Sequence, residues 1–203
     1  MTSPEKLDLF KQFKDQYKAA KKPLIIKITP AQYLAVDGRG APGGPVFEAC
    51  IGALYAMAFT IKMTRKFNGL GDYAVCKLES LWFSEDGQNL SQIPQDQWRW
   101  KLMIRTPDFI TQKDLDKALE ALLSKGKAEK VQEVMLEKLE EGKCVQMLHV
   151  GPYEKVGETI AMMEEYAKQK GLSFAGDHHE IYLSDPRRVP PERLKTILRR
   201  PVK

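Results

Sequence analysis

The two halves of the chain repeat one order of predicted elements. In each half a strand leads into a helix, and two further strands follow the helix. The corresponding segments are residues 33–38, 79–86 and 104–107 in the first half and residues 147–151, 180–185 and 199–201 in the second. A half of this size cannot close a core alone, so we expect the two halves to pair about a pseudo-twofold axis. The repeat predicts an α+β fold built from a duplicated βαββ module.

The repeats are predicted at about residues 24–106 and 143–203 of a single domain, joined by a helical segment at about 111–141. The concave seam between two such modules is where a ligand is expected to bind. The repeat therefore also predicts a central ligand cleft.

Helices are predicted in three parts of the chain: at the N-terminus, after Pro45 and in the joining segment. Ser3-Pro4-Glu5 is a typical helix start, and it precedes an apolar stripe at Leu7, Phe10, Phe13 and Tyr17. A helix from Pro45 to about Lys66 has apolar residues over far more than one stripe, so it is expected to be buried on most sides. The joining segment is predicted to contain a helix with a capping box at Thr111 and Asp114, and then a second helix with Val131, Val134, Met135 and Leu139.

Composition and charge exclude several classes of protein. No apolar run reaches the length of a membrane span, and the charged N-terminus does not resemble a signal peptide. Three scattered cysteines fit a reducing compartment better than a disulfide framework. The net charge of +5 is spread along the chain without a nucleic-acid-binding motif. We therefore expect a soluble cytoplasmic protein that does not bind nucleic acid directly.

Residues 178–188 place two imidazoles, an acid and a phenol on one short predicted strand. The period of two puts Glu180 and Tyr182 on one face and Ile181 and Leu183 on the other. A carboxylate among apolar neighbours costs free energy to desolvate, so it needs a partner, a proton or a function. We expect a pocket around Glu180, and we expect desolvation to raise the pKa of this carboxyl toward that of a base near neutral pH.

Several long segments resemble the GyrI-like small-molecule-binding proteins, namely residues 33–40, 81–83, 98–105, 141–153 and 178–188. The chain looks most like the stand-alone bacterial branch, which has no attached DNA-binding domain. The resemblance implies a duplicated module whose central cleft binds bulky, planar, apolar or cationic molecules. Some stand-alone relatives are hydrolases that open the cyclopropane of yatakemycin-type DNA-alkylating toxins, a detoxification activity, and others inhibit gyrase or sense drugs.

The resemblance maps the cleft glutamate of the family onto Glu180. In a hydrolase this residue would deprotonate water, and opening of the cyclopropane would turn the attached dienone into a phenolate. A hydroxyl or imidazole donor is expected to stabilise that oxygen, and the candidates are Tyr153, which we also expect to be catalytic, Tyr33 and His149. The residues expected to hold the planar substrate are Trp82, Trp100, Tyr55, Phe59 and Tyr182. No metal or other cofactor is expected.

Each candidate also has an ordinary structural interpretation. Aromatic side chains on strands commonly form core or cross-strand pairs, and Tyr55 with Phe59 could be either core or pocket wall. His149 precedes a Gly-Pro turn, where a structural imidazole is common. Glu180 could instead pair with a buried arginine such as Arg105.

Three other polar side chains have interpretations of their own. His178 and His179 are discounted as metal ligands because adjacent side chains on a strand point in opposite directions. Glu79 occupies a place in the first repeat that corresponds to Glu180. It could be a second acid or a salt-bridge partner at the rim of the cleft, and we favour the salt bridge.

Three classes of function remain open from the sequence. The first is a hydrolase of strained cyclopropanoid toxins. The second is a non-catalytic protein that binds or sequesters planar or cationic drugs, with Glu180 as counter-charge and the aromatic side chains as a cage. The third is a regulator that interacts with DNA gyrase. In the first two classes the partner is a small molecule and not a membrane, and both a monomer and a homodimer are compatible with the sequence.

Overall fold

The computed structural model describes residues 6–126 and 129–203. Within them the chain forms five α-helices and eight β-strands. The helices are α1 (Leu9–Gln12), α2 (Lys14–Tyr17), α3 (Pro45–Phe67), α4 (Gln112–Leu123) and α5 (Val156–Gln169). The strands are β1 (Leu24–Ile28), β2 (Ala31–Arg39), β3 (Leu78–Phe83), β4 (Arg99–Thr106), β5 (Met135–Leu139), β6 (Gly142–Val150), β7 (His178–Tyr182) and β8 (Lys195–Pro201).

The chain divides into two compact units that interleave in sequence. Unit 1 comprises Ala31–Leu78 and Phe83–Leu139, together with the N-terminal residues up to Gln12. Unit 2 comprises Phe13–Pro30, Glu79–Trp82 and Glu140–Lys203. Each unit therefore takes strands from separate parts of the chain.

In unit 1, strand β2 lies between β4 and β5, and both pairings are antiparallel. The middle of β2 is an uninterrupted buried run because helix α3 packs against these strands. The guanidinium of Arg65 donates to both carboxylate oxygens of Asp114 at 3.1 and 3.2 Å, which ties α3 to α4. The predicted capping box of Thr111 and Asp114 begins α4.

In unit 2, the strand order is β1-β6-β8-β7, followed by the Glu79–Trp82 part of β3, and all these pairings are antiparallel. Helix α5 covers one face of these strands. The apolar core on that face contains Val145, Met147, Val156, Met163, Ala167, Leu198 and Val202. Since neighbouring residues on a strand alternate, Gln146, His179 and Arg199 lie on the opposite face, where they are buried as well.

The predicted α+β class is confirmed. The order β2, α3, β3, β4 is a strand, a helix and two strands, and β6, α5, β7, β8 repeats it. The repeat boundaries at about 24–106 and 143–203 stay a prediction.

The second helix of the joining segment was predicted wrongly. A short 3-10 helix occupies Glu129–Glu133, and the chain then forms the strand Met135–Leu139. That strand pairs with β2 along its whole length, from Met135 opposite Ala35 to Leu139 opposite Ala31. Its residues, Met, Leu, Glu and Lys, are good helix formers, but long-range pairing decides the conformation of a short segment.

The N-terminal prediction holds only in part. Two four-residue helices, α1 and α2, replace the single expected helix, and they are separated at Phe13. Leu9 and Tyr17 are buried. The predicted start at Ser3-Pro4-Glu5 lies outside the described residues.

Helix α3 spans the predicted range but is not buried on most sides, contrary to expectation. Eight of its 23 residues are buried, while Phe59 is 50% exposed and Phe67 is 77% exposed. By length and composition it is also apolar enough to cross a membrane, contrary to the expectation that no apolar run reaches that length. Its buried residues pack in the core of unit 1.

Candidate functional site

Strand β7 presents three polar side chains on one face. His178, Glu180 and Tyr182 alternate along the strand, so they share the face that also carries helix α5. The neighbouring strand β3 places Ser80 opposite Glu180 and Trp82 opposite His178. These five side chains form a cluster within unit 2, which we call the Glu180 cluster.

The carboxylate of Glu180 is held at both oxygens. His178 Nε2 lies 3.2 Å from Oε1, and the Tyr182 hydroxyl donates to Oε2 at 2.8 Å. The Tyr182 oxygen also lies 2.7 Å from Ser80 Oγ. Because the tyrosine proton goes to the carboxylate, the serine hydroxyl is the donor in that second bond. Glu180 is 8% exposed, so these neighbours take the place of water around its charge.

The expected rise in the pKa of Glu180 is wrong. Burial alone would raise the pKa, but the hydrogen bond and charge of His178, the hydroxyl of Tyr182 and the indole of Trp82 outweigh it and lower the pKa below its ordinary value. The residue is therefore a carboxylate at neutral pH. Within unit 2 the oxygens of Glu180 bond His178 and Tyr182, and the alternative pairing with Arg105, a residue of unit 1, stays a prediction.

Two tyrosines border this carboxylate. Burial, followed by the charge of Glu180, raises the pKa of Tyr182 well above its ordinary value. Tyr153 lies edge-on to Tyr182, with ring centroids 5.8 Å apart, and it is 37% exposed. Burial and the Glu180 charge raise the pKa of Tyr153 to about 12. Both phenols therefore keep their protons at neutral pH and can act as hydrogen-bond donors.

His149 is in the same unit, and both of its ring nitrogens already have hydrogen-bond partners. Its Nε2 lies 3.1 Å from the carbonyl oxygen of Pro152, which can only accept, so Nε2 carries the proton. Its Nδ1 then accepts from the hydroxyl of Thr159 at 2.8 Å. The imidazole joins β6 to α5, and neither ring nitrogen is left to contact a ligand.

The four other aromatic candidates belong to unit 1. Trp100 is fully buried, with its ring 5.2 Å from that of Phe47 and its indole N–H donating to Gly40 at 3.2 Å. Tyr33 is also buried. Tyr55 and Phe59 stack on α3 with ring centroids 6.3 Å apart, where Tyr55 is partly buried and Phe59 is 50% exposed. Their role in binding stays a prediction.

A second set of ionisable side chains lies on the opposite face of unit 2. His179 Nε2 lies 2.9 Å from Glu79 Oε2, and Nδ1 lies 2.9 Å from Glu141 Oε1. Tyr17 donates to the other oxygen of Glu79 at 2.9 Å. Glu79 and His179 are completely buried. The interpretation of Glu79 as a rim salt bridge is therefore wrong, because its long-range contacts place it inside the unit.

The same network continues to Arg199. The guanidinium donates to Glu141 and to the side chain of Gln146, each at 2.9 Å, and to the backbone oxygen of Gln16 at 2.7 Å. Burial would lower the pKa of His179, but the charges and hydrogen bonds of the two glutamates raise it to about 9. Although burial opposes it, His179 and Arg199 lower the pKa of Glu141 to about 2. The carboxylates of Glu79 and Glu141 are thus paired inside the unit with the cations of His179 and Arg199.

Sequence reasoning did not assign His178 or Ser80 to the site. The period-two argument places His178 beside Glu180, and it correctly puts His178 and His179 on opposite faces. Ser80 could not have been found, because its position opposite Glu180 depends on the strand register. In the part of the chain that the structure describes, no group of three or more His, Cys, Asp or Glu side chains could hold a metal ion.

The comparisons with known proteins agree with the fold. An uncharacterized conserved protein from Listeria innocua has a TM-score of 0.91 and 39% sequence identity, over 98% of this chain and 100% of that chain. Two structures of a hydrolase from the same organism have TM-scores of 0.87 and 0.89 and identities of 38% and 39%, over the same shares of the chains.

No curated protein matches the chain. The family model of the GyrI-like small molecule binding domain matches residues 21–203. That match covers most of the sequence and includes every residue of the Glu180 cluster. The chain therefore belongs to the GyrI-like small-molecule-binding family.

Proposed function

We propose that the protein binds planar apolar molecules at the Glu180 cluster and hydrolyses cyclopropanoid alkylating toxins there. The observation that carries the proposal is a buried, ionised carboxylate surrounded by Trp82, Tyr182 and Tyr153. The two Listeria innocua structures of a hydrolase, 38% and 39% identical over nearly the whole chain, support a hydrolytic activity. Membership of a small-molecule-binding family supports a small molecule as the ligand.

The carboxylate is suited to binding a water molecule. Each carboxylate oxygen has two acceptor positions, so His178, Tyr182 and the Trp82 indole leave at least one of the four positions on Glu180 for another donor. A water that donates to this position is oriented and can lose its proton to Glu180. Because the pKa of Glu180 is lowered, the residue is ready to accept a proton at neutral pH, although it is a weak base.

The proposed step adds one water to the substrate. The water oxygen bonds to a cyclopropane carbon, its proton passes to Glu180, and the carbon–carbon bond of the ring breaks. The released electron pair enters the dienone and makes it an aromatic phenolate. Tyr153, whose phenol is protonated and partly exposed, donates a hydrogen bond to that oxygen. The phenolate is protonated from solvent, and Glu180 returns its proton to solvent.

The test is a product assay with a synthetic indole-fused spirocyclopropane dienone. We expect wild-type protein to form the water adduct, detected by mass spectrometry, and Glu180→Gln to lose about 100-fold or more of the rate. Glu154→Gln, at an exposed glutamate one residue from Tyr153, is the matched control and should retain the wild-type rate. Hydrolysis by Glu180→Gln at the wild-type rate would remove Glu180 from the mechanism.

A non-catalytic drug-binding function is the second candidate. The hydrogen bonds from His178 and Tyr182 lower the basicity of Glu180, which favours a fixed counter-charge for a cationic aromatic ligand. In that case the wild-type protein would bind the dienone without consuming it. Glu180→Gln would then weaken the binding of a cationic aromatic dye and leave a neutral dye of the same shape unaffected.

A further inference from the structure

Strand β1 is an open edge of the sheet in unit 2. It pairs with β6 through five consecutive residues, Leu24 to Ile28, and with no other strand in the part of the chain that the structure describes. Its backbone also makes no hydrogen bond to a loop or helix within residues 6–126 and 129–203. A row of free backbone N–H and C=O groups along one side of a strand is a template on which another strand can pair.

The sequence of β1 lacks the usual protection of an edge strand. Four of its five residues are leucine or isoleucine, and Lys27 alone is charged. Its pairing with β6 is continuous, without a bulge, and Pro23 and Pro30 lie outside the strand. Soluble proteins commonly interrupt such an edge with proline, a bulge or several charges. The β1 edge is therefore suited to pairing with a further strand.

An apolar groove lies at the Pro23 end of this edge, on the side of helix α5. Its volume is about 450 Å³, and it is lined by Pro23 and by one side of α5, namely Ala161, Met162, Glu165, Tyr166 and Gln169. Ile25 and Lys27 point to the same side of the sheet, because Ile25 is opposite Val145, which packs in the core beneath α5. A strand added to β1 would thus place every second side chain beside the groove.

The β1 edge is complementary to a second copy of itself. In an antiparallel pair centred on Ile26, Leu24 of each copy is opposite Ile28 of the other, so only aliphatic side chains meet on the face away from α5. On the α5 side, Ile25 of each copy is opposite Lys27 of the other, so the two lysines do not oppose each other directly. A twofold contact requires this self-complementarity, because the same patch serves both subunits.

The charges at the edge are complementary in the same arrangement. Lys27 is exposed and forms no ion pair with any residue in the described part of the chain. Glu165 is exposed in the groove, where it accepts a hydrogen bond from the Gln169 amide. Lys27 of the second copy would be opposite Ile25, two residues from Pro23, and would therefore lie beside the groove that contains Glu165. Twofold symmetry would form this pair twice.

We propose that the protein forms a homodimer in which β1 pairs antiparallel with β1 of a second copy, and Lys27 of each copy forms an ion pair with Glu165 of the other. The interface involves β1 and one side of α5 and uses no residue of the Glu180 cluster, so it is independent of the proposed function. A strand from an unrelated protein could also pair with the β1 edge, but its binding would not require Lys27 and Glu165 to match each other.

The first test exchanges the two charges. Sedimentation equilibrium of the full chain measures the dissociation constant of the dimer. We expect Lys27→Glu and Glu165→Lys each to raise it about tenfold, because two ion pairs become two repulsions, and the double variant to return to within about threefold of wild type. Glu164→Lys is the matched control, since Glu164 is outside the groove and pairs with Lys168, and it should change the constant less than about twofold.

Two results of this test would overturn the proposal. The first is a double variant that associates as weakly as the single variants, because Lys27 and Glu165 would then not meet. The second is a wild-type protein that stays monomeric at concentrations up to about 1 mM.

The second test compares the two edge strands. Ile25 is 36% exposed on β1, and Met135 is 43% exposed on β5, which pairs only with β2 among the described strands. Ile25→Lys would set a lysine directly opposite Lys27 of the second copy, so we expect it to raise the dissociation constant about tenfold. Met135→Lys should change it less than about twofold. Equal weakening by both variants would refute the twofold pairing, because β1 would then dock head to tail on β5.

A third measurement needs no variant. Hydrogen–deuterium exchange is compared at protein concentrations below and above the dissociation constant. We expect the backbone amides of residues 24–28 to exchange more slowly in the dimer, because their free side becomes hydrogen-bonded, while residues 135–139 exchange equally in both samples. A dimer with unchanged exchange at residues 24–28 would refute the proposal, because the two copies would then be joined through another surface.

Discussion

At the scale of single residues, Gly38 and Trp100 show how closely unit 1 is packed. The two residues face each other across β2 and β4, and the Trp100 ring lies over the glycine. A Cβ added at Gly38 would be only 2.0 Å from the Trp100 ring, which is fully buried and cannot move into solvent. We therefore expect Gly38→Ala to destabilise the protein by about 2–3 kcal/mol, measured by urea unfolding.

Gly52 provides the matched control for this substitution. It lies inside helix α3, and a Cβ added there would meet no atom within 4 Å. Gly52→Ala should raise stability by about 0.5–1 kcal/mol, because alanine has the higher helix propensity. If Gly38→Ala proved as well tolerated as Gly52→Ala, the Trp100 ring would have to be mobile rather than fixed in the core.

Part of the candidate site was predictable at this scale. The composition of one strand identifies Glu180, and the period of two identifies its faces, because both depend only on local sequence. The direction of the Glu180 pKa shift was not predictable, since it depends on donors from His178, Tyr182 and Trp82 that outweigh burial. Trp82 lies on another strand, and its place beside Glu180 depends on the register of β3 against β7.

At the scale of secondary-structure elements, His179 links the ends of three strands. It lies on β7, contacts Glu79 on β3, and reaches Glu141 immediately before β6. Its folded pKa of about 9 is above the ordinary value of 6.5, so its stabilising effect is complete below about pH 6.5 and is lost as the pH rises through 9. Glu141 behaves oppositely, because its effect is present above pH 4.5 and is lost as the pH falls toward 2.

His179→Gln should therefore cost most in stability just below about pH 6.5, where the stabilising effect of the charged imidazole is complete. We expect a loss of about 3 kcal/mol there, since two buried carboxylates lose a shared cation, and a much smaller difference from wild type above pH 9. Urea unfolding of both proteins at several pH values measures this. His149→Gln is the matched control, because it removes a histidine of the same unit that bonds Thr159 and Pro152 and has no contact with Glu79 or Glu141. A constant cost for His179→Gln would show that its imidazole is not charged.

Elements with strong local signals agree with their predictions, and weakly marked ones do not. The long apolar run of α3 and the capping box of α4 specify helices by themselves. Met135–Leu139 carries no such signal, and its strand conformation depends on pairing with β2 about a hundred residues earlier in the chain. The mixed sequence of α1 and α2 likewise gave no sign of the break at Phe13.

At the scale of the whole molecule, the interleaved sequence of unit 2 limits how the chain can be divided. The C-terminal piece, residues 140–203, contains β6, β7, β8 and α5. Its strand β6 pairs with β1, and its strand β7 pairs with residues 79–82 of β3. Without those two pairings the fragment has two uncovered strand edges, and His179 loses Glu79.

We therefore expect residues 140–203 to show no cooperative unfolding transition when produced alone, although domains of about 60 residues can fold independently. Circular dichroism during urea titration measures this. Adding a second fragment, residues 1–139, supplies β1, Tyr17 and Glu79, so it should restore β-sheet signal and a cooperative transition. A fragment with Glu79→Ala should restore less, because Tyr17 and His179 then lose their shared carboxylate. Cooperative folding of residues 140–203 alone would show that β6, β7, β8 and α5 form a sufficient core and that the interleaved strands only add to it.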